Sequence, residues 1–411
     1  MKLISLDEFQ EPTREYTGNA ILYAGPGAGK TRTIAAKAEY LEFVEKLSPS
    51  KMLFLSFSKR ASSELISRLP HLESKILTIH KFAKDRIKNC PEIVESSESQ
   101  SILDPRKICM LDFLGVTLNR LAHWDEDYSL QEQISSILGA IDKHKACPDL
   151  PFSTFYEPAL SHYENFLKKE NLIDFNDMLA LGIKELDKTP LSIEWLFIDE
   201  GHDTSMLQYE VIKRIKASNI WGVFSPHQMI YRWNGADERN MKKFEEDFKP
   251  RKFQLRNNWR SNKRIVNLLE NLYVDNLVPK NDKEGKVKLK RFWKESLESR
   301  EAKNICYEAG PDHLILARTN KQLISIAEKE PDLYKEFKFK YQTIHRSKGG
   351  SAETVVVIGC GGKYIPYYRS EDEEEEKNLL YVACSRAKTN LVLLYTGYPT
   401  YFLEEVLNNG K

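Results

Sequence analysis

The chain has 411 residues, 41% apolar and 29% charged, a globular composition with room for about two to four domains. Its 61 basic residues nearly cancel 60 acidic ones, so a polyanion partner has to be held by a local basic groove and not by global charge. No apolar run approaches the roughly 18 residues of a membrane span, and six scattered cysteines without a CxxC pair exclude an obvious zinc or iron–sulfur module. With no signal peptide at the polar N-terminus, Cys90, Cys109, Cys147, Cys306, Cys360 and Cys384 read as ordinary thiols of a reducing, cytoplasmic compartment.

In chain order, the apolar run 19–24 enters the loop "GPGAGKT", and helical spacing follows from Arg32. The alternation continues with a strand at 51–57, a helix from Lys59 to Leu69, a strand at 75–79 and a helix from His80, which predicts parallel strands joined by crossover helices. Between about Asn89 and Glu170 the strand pattern gives way to helical text, with Trp124, Tyr163 and Phe166 on helix-like faces. Strands resume at 193–199, 220–225 and 253–255, and a second α/β unit shows strands at 313–317, 354–359 and 390–395. The charged segment from Val274 to Gly310 gives no clear element.

"AGPGAGKT" (24–31) lies between a strand and a helix and carries the Gly-Lys-Thr end of a phosphate-binding loop, with Ala24 at the place of the first glycine. Gly25, Gly27, Ala28 and Gly29 present backbone N–H groups to phosphates at a helix N-terminus, Lys30 reaches the β- and γ-phosphates, and the Thr31 hydroxyl ligates Mg²⁺. By itself the loop says nucleoside triphosphate and no more.

"IDEGHD" (198–203) ends an apolar strand with two acids. That is where a phosphate-loop ATPase holds Mg²⁺, the part of Asp199, and orients the attacking water, the part of Glu200. A transition-metal site of these acids with His202 and Asp203 is the rival, disfavoured by the lack of a helical i, i+4 histidine pair.

These words belong to a longer series. In order come "AGPGAGKT", "FSKRASSEL" (57–65), "TIHKF" (78–82), "DFNDML" (174–179), "IDEGHD", "QMIYRWNGAD" (228–237), "LRNNWRS" (255–261), "ILARTN" (315–320), "TIHRSKGG" (343–350) and "LLYVACSRAK" (379–388). The series resembles motifs I to VI of superfamily 1A helicases of the UvrD/Rep/PcrA type. The resemblance implies an α/β fold of two RecA-like P-loop domains with parallel sheets and an inserted helical subdomain. Its expected boundaries are 1–88 with 171–257 for ATP-binding domain 1A, 89–170 for helical subdomain 1B, and 258–411 for domain 2A with a short 2B-like remnant near 274–310.

The resemblance also assigns roles by position. Gln10 corresponds to the glutamine that reads adenine, although it stands 15 residues before Gly25, one fewer than usual. Arg32 joins the nucleotide-binding loop, Trp259 takes the place of the aromatic that stacks on adenine, and Arg260 and Arg386 correspond to arginines that reach the γ-phosphate, the second from the other α/β unit. An arginine finger of this kind is worth about 10³ to 10⁵ in rate. Gln228 resembles the γ-phosphate sensor. Phe57, Tyr231 and Trp233 match positions that meet single-stranded DNA, where stacking tolerates any base, against the plain alternative that they are core. Thr78 and His80, with Thr343 and His345, match contacts to backbone phosphates.

The departures bear on coupling. His202 replaces a glutamine, Ser225-Pro226 stand where motif III usually has Gly-Asp, Asn234 replaces an arginine, and Ser351 stands where a glutamate holds the ribose, leaving Glu353 as its substitute. The 81 residues between Ser261 and Thr343 are too few for a full 2B subdomain, and the 25 after Arg386 too few for a fused nuclease. The acidic run 371–376 reads as a solvated stretch before the motif VI helix. The expectation is therefore a minimal 3′-to-5′ single-stranded DNA translocase and helicase using ATP and Mg²⁺, a monomer on strands and single/double-strand junctions, with no membrane partner. Two other readings stay open: a motor subunit paired with a separate nuclease or other protein in a repair or defence assembly, and a DNA-gated ATPase switch.

Overall fold

The computed structural model describes residues 3–94, 104–116, 128–329, 340–368, 370 and 372–404; Trp124 lies outside them. The chain forms two compact units, one of Met1–Leu47, Gly222–Ile230 and Pro250–Lys411, the other of Ser48–Trp221 and Tyr231–Lys249. Residues 1–47 thus group with 250–411, and within that unit the backbone N–H of Trp259 donates to Gly27 O at 3.1 Å.

The first unit opens with β1 (Ala20–Ala24) and α1 (Lys30–Phe43). The second then builds β2 (Met52–Ser56), α2 (Lys59–Arg68), β3 (Ile76–Thr78) and α3 (Ile79–Arg86). β2 is buried along its whole length, as its unbroken apolar run requires of a strand covered on both faces. Ser58 and Thr78 end the preceding loops by accepting hydrogen bonds from Ala61 N and Lys81 N, which satisfies helix-terminal donors.

A short parallel pair, β4 (Glu92–Ile93) with β5 (Leu172–Ile173), brackets the insertion, so the region read as free of strands holds two residues of one at its start. Between them α4 (Pro105–Phe113), α5 (Tyr128–Ala146) and α6 (Glu157–Lys169) enclose their own core of Met110, Leu130, Ile134, Ile141 and Tyr163. This is the inserted helical subdomain.

The second unit continues with α7 (Phe175–Lys188), β6 (Ser192–Asp199), α8 (Met206–Lys213) and β7 (Lys216–Phe224), and the boundary between the units falls within β7. Within it β2 pairs in parallel with β3 and β6, and Phe54 stacks on Phe197 with ring centroids 4.7 Å apart. Asp174 and Ser205 each form a capping box at the start of α7 and α8.

In the first unit β8 (Arg251–Leu255) pairs in parallel with β1. β9 (Asn257–Asn262), α9 (Lys263–Leu272) and β10 (Val278–Asn281) follow, β10 pairing with β9. Then come β11 (Lys286–Phe292), α10 (Glu295–Ala309), β12 (His313–Ala317), α11 (Asn320–Lys329), β13 (Tyr341–Thr343), β14 (Ala352–Val357), α12 (Glu373–Cys384) and β15 (Ala387–Thr396). Five of these strands form a parallel sheet in the order β11-β15-β14-β12-β13. Parallel pairing needs a crossover between strands, and the helices supply it. The architecture is α/β, with the parallel sheets of two RecA-like domains.

Two expectations need correction. The stretch 274–310 is regular: β10, β11 and α10 occupy most of it, and β11 escaped notice because an edge strand carries charge where a central one carries apolar residues. Only part of the acidic run is solvated: α12 begins at Glu373, Glu373 and Glu374 are exposed, but Glu375 and Glu376 are buried, Glu376 held in a fork by Arg318 with Nη2 at 2.7 Å. Among the described residues no helix is long and apolar enough to cross a membrane.

Candidate nucleotide and nucleic-acid site

In the first unit the chain leaves β1 at Ala24 and enters α1 at Lys30 through two glycines in the left-handed region, Gly27 (φ +70°) and Gly29 (φ +76°). Only glycine adopts this conformation without strain. A Cβ on Gly27 would lie 2.8 Å from both Arg260 Cβ and Asn258 Oδ1, and one on Gly29 would lie 2.6 Å from Gln10 Nε2. The loop is thus a backbone cradle closed by motif IV on one side and by Gln10 on the other.

Gln10 is buried, its amide donating to Ala28 O at 2.9 Å while its carbonyl accepts from Asp7 N at 3.2 Å. Trp259 keeps its ring half-exposed and anchors the indole N–H on Asp7 Oδ2 at 2.9 Å. Arg32 bonds to Ser5 O and Ser5 Oγ at the surface. Thr31 sits buried in the first turn of α1.

Lys30 Nζ donates to Ser225 Oγ at 3.0 Å, and that hydroxyl donates to Ala24 O at 2.6 Å. Three residues on, Gln228 is 4% exposed and its Nε2 has no protein partner among the described residues. Gln228 lines a cavity together with Gly25 and Ser225, and a buried amide left open there suits a phosphate oxygen. Lys348 Nζ holds the backbone of the same residue through Gln228 O at 2.6 Å. These supporting groups, Ser225, Asn258 and Lys348, were not read as site residues from the sequence. Ser225 was visible only as a departure, and Asn258 only as an unremarked neighbour of Trp259.

The two arginines lie close along the chain fold of this unit. Arg260 Nη1 donates to Ser385 O at 3.1 Å, and the next residue, Arg386, is 2% exposed with its guanidinium donating to Val382 O, Gly350 O and Ser385 Oγ. Arg386 is therefore held inside the protein at the C-terminal end of α12. Glu353 pairs with Lys283 at 3.1 Å and accepts from the Thr389 hydroxyl. That hydroxyl, and then Lys283, hold its carboxyl below the ordinary range. Near the loop a cavity of about 420 Å³ is bounded by Gly25, Pro226, Gln228, Asp275 and Tyr381. On its wall Tyr381 donates to Asp275 Oδ2 at 2.6 Å and His227 Nε2 faces Asp275 Oδ1 at 3.3 Å.

In the second unit β6 delivers Asp199, 3% exposed, and the chain turns through Glu200 at φ +54°, a strained backbone for a non-glycine residue. Glu200 N donates to Asp199 Oδ1 at 3.0 Å. His202 Nε2 lies 3.2 Å from Glu200 Oε2 and 3.9 Å from Asp203 Oδ2, and the ligand atoms of these three residues fall within 4.8 Å of one another. The grouping that the sequence left without a helical histidine pair thus has a compact geometry, with His202 Nε2 within hydrogen-bond distance of Glu200 and Asp203 close by. Asp199 offers carboxylate oxygens of the kind a hard cation such as Mg²⁺ takes.

The nucleic-acid candidates of this unit divide into two kinds. Phe57 and Tyr231 meet with ring centroids 5.3 Å apart, and Trp233 stands 53% exposed in the following turn. Thr78 caps α3, and His80 lies against Gln208 Nε2 at 3.4 Å and edge-on to Phe175. Burial lowers the His80 pKa from 6.5 to about 4. A cavity of about 130 Å³ collects Phe57, His80, Arg106, Asp142, Asp174 and Gln208. The first unit repeats the device: Thr343 accepts from Arg346 N, and burial, followed by Arg318 and Lys348, lowers His345 to about 3.

Comparison with known proteins agrees with the series of motifs. Residues 6–249 match the UvrD/REP helicase N-terminal domain, and residues 322–398 match the UvrD-like helicase C-terminal domain. The chain is 27% identical to "ATP-dependent DNA helicase Rep" of Buchnera aphidicola subsp. Baizongia pistaciae, over 66% of this chain and 43% of that one. It is 25% identical to a "Probable DNA helicase" of Mycoplasma pneumoniae, over 93% and 82%, and 29% identical to "ATP-dependent DNA helicase PcrA" of Bacillus subtilis, over 65% and 39%. The chain spans less than half the length of the Rep and PcrA relatives. With more than half of its residues inside the N-terminal match alone, the chain belongs to the UvrD/REP helicase family.

Proposed function

We propose that this chain is an ATP-dependent DNA translocase and helicase that moves 3′ to 5′ on a single strand. The observation that carries the reading is the glycine cradle of the first unit, which Lys30 leaves toward Ser225, against which Arg260 of β9 packs, and beside which Gln228 lines a cavity with Gly25. ATP lies on Gly25, Gly27, Ala28 and Gly29 with Trp259 at its base, Gln10 and Glu353 border it, and Arg260 and Arg386 stabilise charge on the γ-phosphate. Thr31 and Asp199 are the residues proposed to hold Mg²⁺, which would neutralise phosphate charge. Glu200 orients the attacking water, and Gln228 reports the γ-phosphate to the strand-binding side chains Phe57, Thr78, His80, Tyr231, Trp233, Thr343 and His345.

The test is steady-state ATP turnover with and without single-stranded DNA, on wild type and on Glu200→Gln, followed by displacement of duplexes carrying a 3′ or a 5′ tail. Strong stimulation by DNA, its loss in Glu200→Gln and displacement from the 3′ tail alone are expected. Displacement only from the 5′ tail reverses the polarity. Turnover without displacement favours instead a DNA-gated ATPase switch, a reading supported by the engagement of Lys30 with Ser225 in motif III. Displacement that appears only on adding a nuclease or other protein favours the motor-subunit reading.

A further inference from the structure

Residues 286–294, "KVKLKRFWK", carry five cations and no carboxylate, and the ATP reading uses none of them. They form β11, the edge strand of the five-stranded sheet, and the residues just beyond it. β11 and β15 run in register to their ends, with Phe292 opposite Thr396. The chain then turns at Gly397 (φ +81°), whose N–H donates to Phe292 O at 3.1 Å. That turn brings Tyr398 beside the end of β11. Arg291 and Trp293, two apart, share a face, and the Arg291 guanidinium lies 4.4 Å from the Trp293 ring centroid and 5.3 Å from that of Tyr398. Both rings are 77% exposed.

Two large rings left open to water around a cation are costly decoration for a surface with no partner. Three carboxylates of α10 are already committed: Glu301 to Lys290, Glu295 to Lys363 and Tyr364, and Glu298 to Gly359 N and Thr396 Oγ1. Arg291 and the exposed Lys286, Lys288 and Lys294 form no ion pair among the described residues. Lys286 and Lys288 lie on the other face of the strand by its alternation, so they add field along the edge and not contacts to the rings. Positive charge with flat exposed aromatics is the chemistry that receives an unpaired strand, whose phosphates meet the cations and whose bases stack on the rings. A duplex offers no free base faces along its length.

The geometry points to an accessory single-stranded nucleic-acid site at Arg291, Trp293 and Tyr398. It is separate from Thr343 at the end of β13, because β13 and β11 are opposite edges of the same sheet, about 19 Å apart at the usual strand spacing. The inference rests on the reading of the chain as a nucleic-acid-dependent protein but uses none of that site's residues.

The experiment titrates fluorescent oligothymidylates of increasing length into the full chain, for wild type, Trp293→Ala with Tyr398→Ala, Arg291→Ala, and Trp233→Ala. Trp293 and Tyr398 are surface side chains, so the double variant keeps the fold and basal ATP turnover. Long oligomers are expected to bind it about tenfold more weakly, with short ones unchanged, and Arg291→Ala is expected to reduce the salt dependence of long-oligomer binding. Photocrosslinking with 5-iododeoxyuridine is expected to mark Trp293 or Tyr398. Unchanged long-oligomer binding without a crosslink there overturns the proposal, even where the double variant alters self-association or a protein contact. If Trp233→Ala alone weakens every length, the accessory site falls while the functional reading stands; if wild type binds no oligomer, both fall.

Discussion

Lys30 and Ser225 share a hydrogen bond of 3.0 Å, and through the Ser225 hydroxyl the lysine is tied to the carbonyl of Ala24 at the end of β1. The lysine has three N–H donors, and the one given to Ser225 is not available to a phosphate. A hydrogen bond to a charged group is worth about 1.5 to 3 kcal/mol, so Ser225 competes with the nucleotide for the same ammonium. Ser225→Ala is expected to tighten ATP binding several-fold, where Lys30→Ala weakens it. Titration with a fluorescent ATP analogue reads both, and weakening by Ser225→Ala would make the serine a ligand of the nucleotide and end the competition argument.

Gly27 meets two separate constraints, a φ of +70° and the backbone and side chains of β9 within 3.2 Å of any added Cβ. Strain and overpacking each cost about 1 to 3 kcal/mol. Gly27→Ala is expected to destabilise the chain by about 3 kcal/mol and to abolish nucleotide binding, read by urea denaturation and analogue titration. A variant of unchanged stability would show that the loop moves freely away from Arg260.

How much of this was legible follows from where each signal lies. Gly25 to Thr31 and Asp199-Glu200 were readable because their chemistry requires particular residues at fixed spacing beside a strand. Strands such as β1, β2 and β12 were readable because burial on both faces leaves a nearly unbroken apolar run. β11 was not, since its lysines obey the edge of a sheet. Ser225, Asn258 and Lys348 were not, because serine, asparagine and lysine support a site through tertiary contacts that no local pattern encodes. Nor did charge alone reveal Glu376, whose burial depends on Arg318 arriving from β12's end.

The helical insertion contains a polar pair that separates two kinds of energy. Arg106 Nη2 donates to Asp142 Oδ1 at 2.6 Å with the arginine side chain 4% exposed, and its guanidinium lies 5.4 Å from the Tyr163 ring. Removing one partner leaves a buried charge, which costs about 3 to 5 kcal/mol, whereas replacing both with apolar side chains of like volume is often neutral. Arg106→Met is expected to destabilise strongly, and Arg106→Met with Asp142→Leu to recover most of the loss in denaturant unfolding. A double variant as weak as the single one would show that Asp174 and Lys145 depend on the pair as well.

His80 and His345 make the last prediction, which concerns pH. Burial favours the neutral imidazole in the folded chain, with pKa values lowered from 6.5 to about 4 and about 3. Above pH 6.5 both states are neutral at these positions and no dependence arises. As pH falls below 6.5 the unfolded chain takes up protons that the folded chain refuses, so stability declines, by up to about 1.4 kcal/mol per pH unit for each histidine. The loss continues until the folded values are reached, near 4 for His80 and near 3 for His345. Urea unfolding between pH 6.5 and 5, above most carboxylate titration, is therefore expected to show a slope that His80→Gln and His345→Gln each reduce. Under the proposed function, the same neutrality means that each side chain would give phosphate a hydrogen bond and no charge, so neither substitution is expected to change the salt dependence of oligonucleotide binding at pH 7.5, while affinity falls. A smaller salt slope in either variant would mean that the imidazole is cationic when the strand is bound, and that the strand itself raises its pKa.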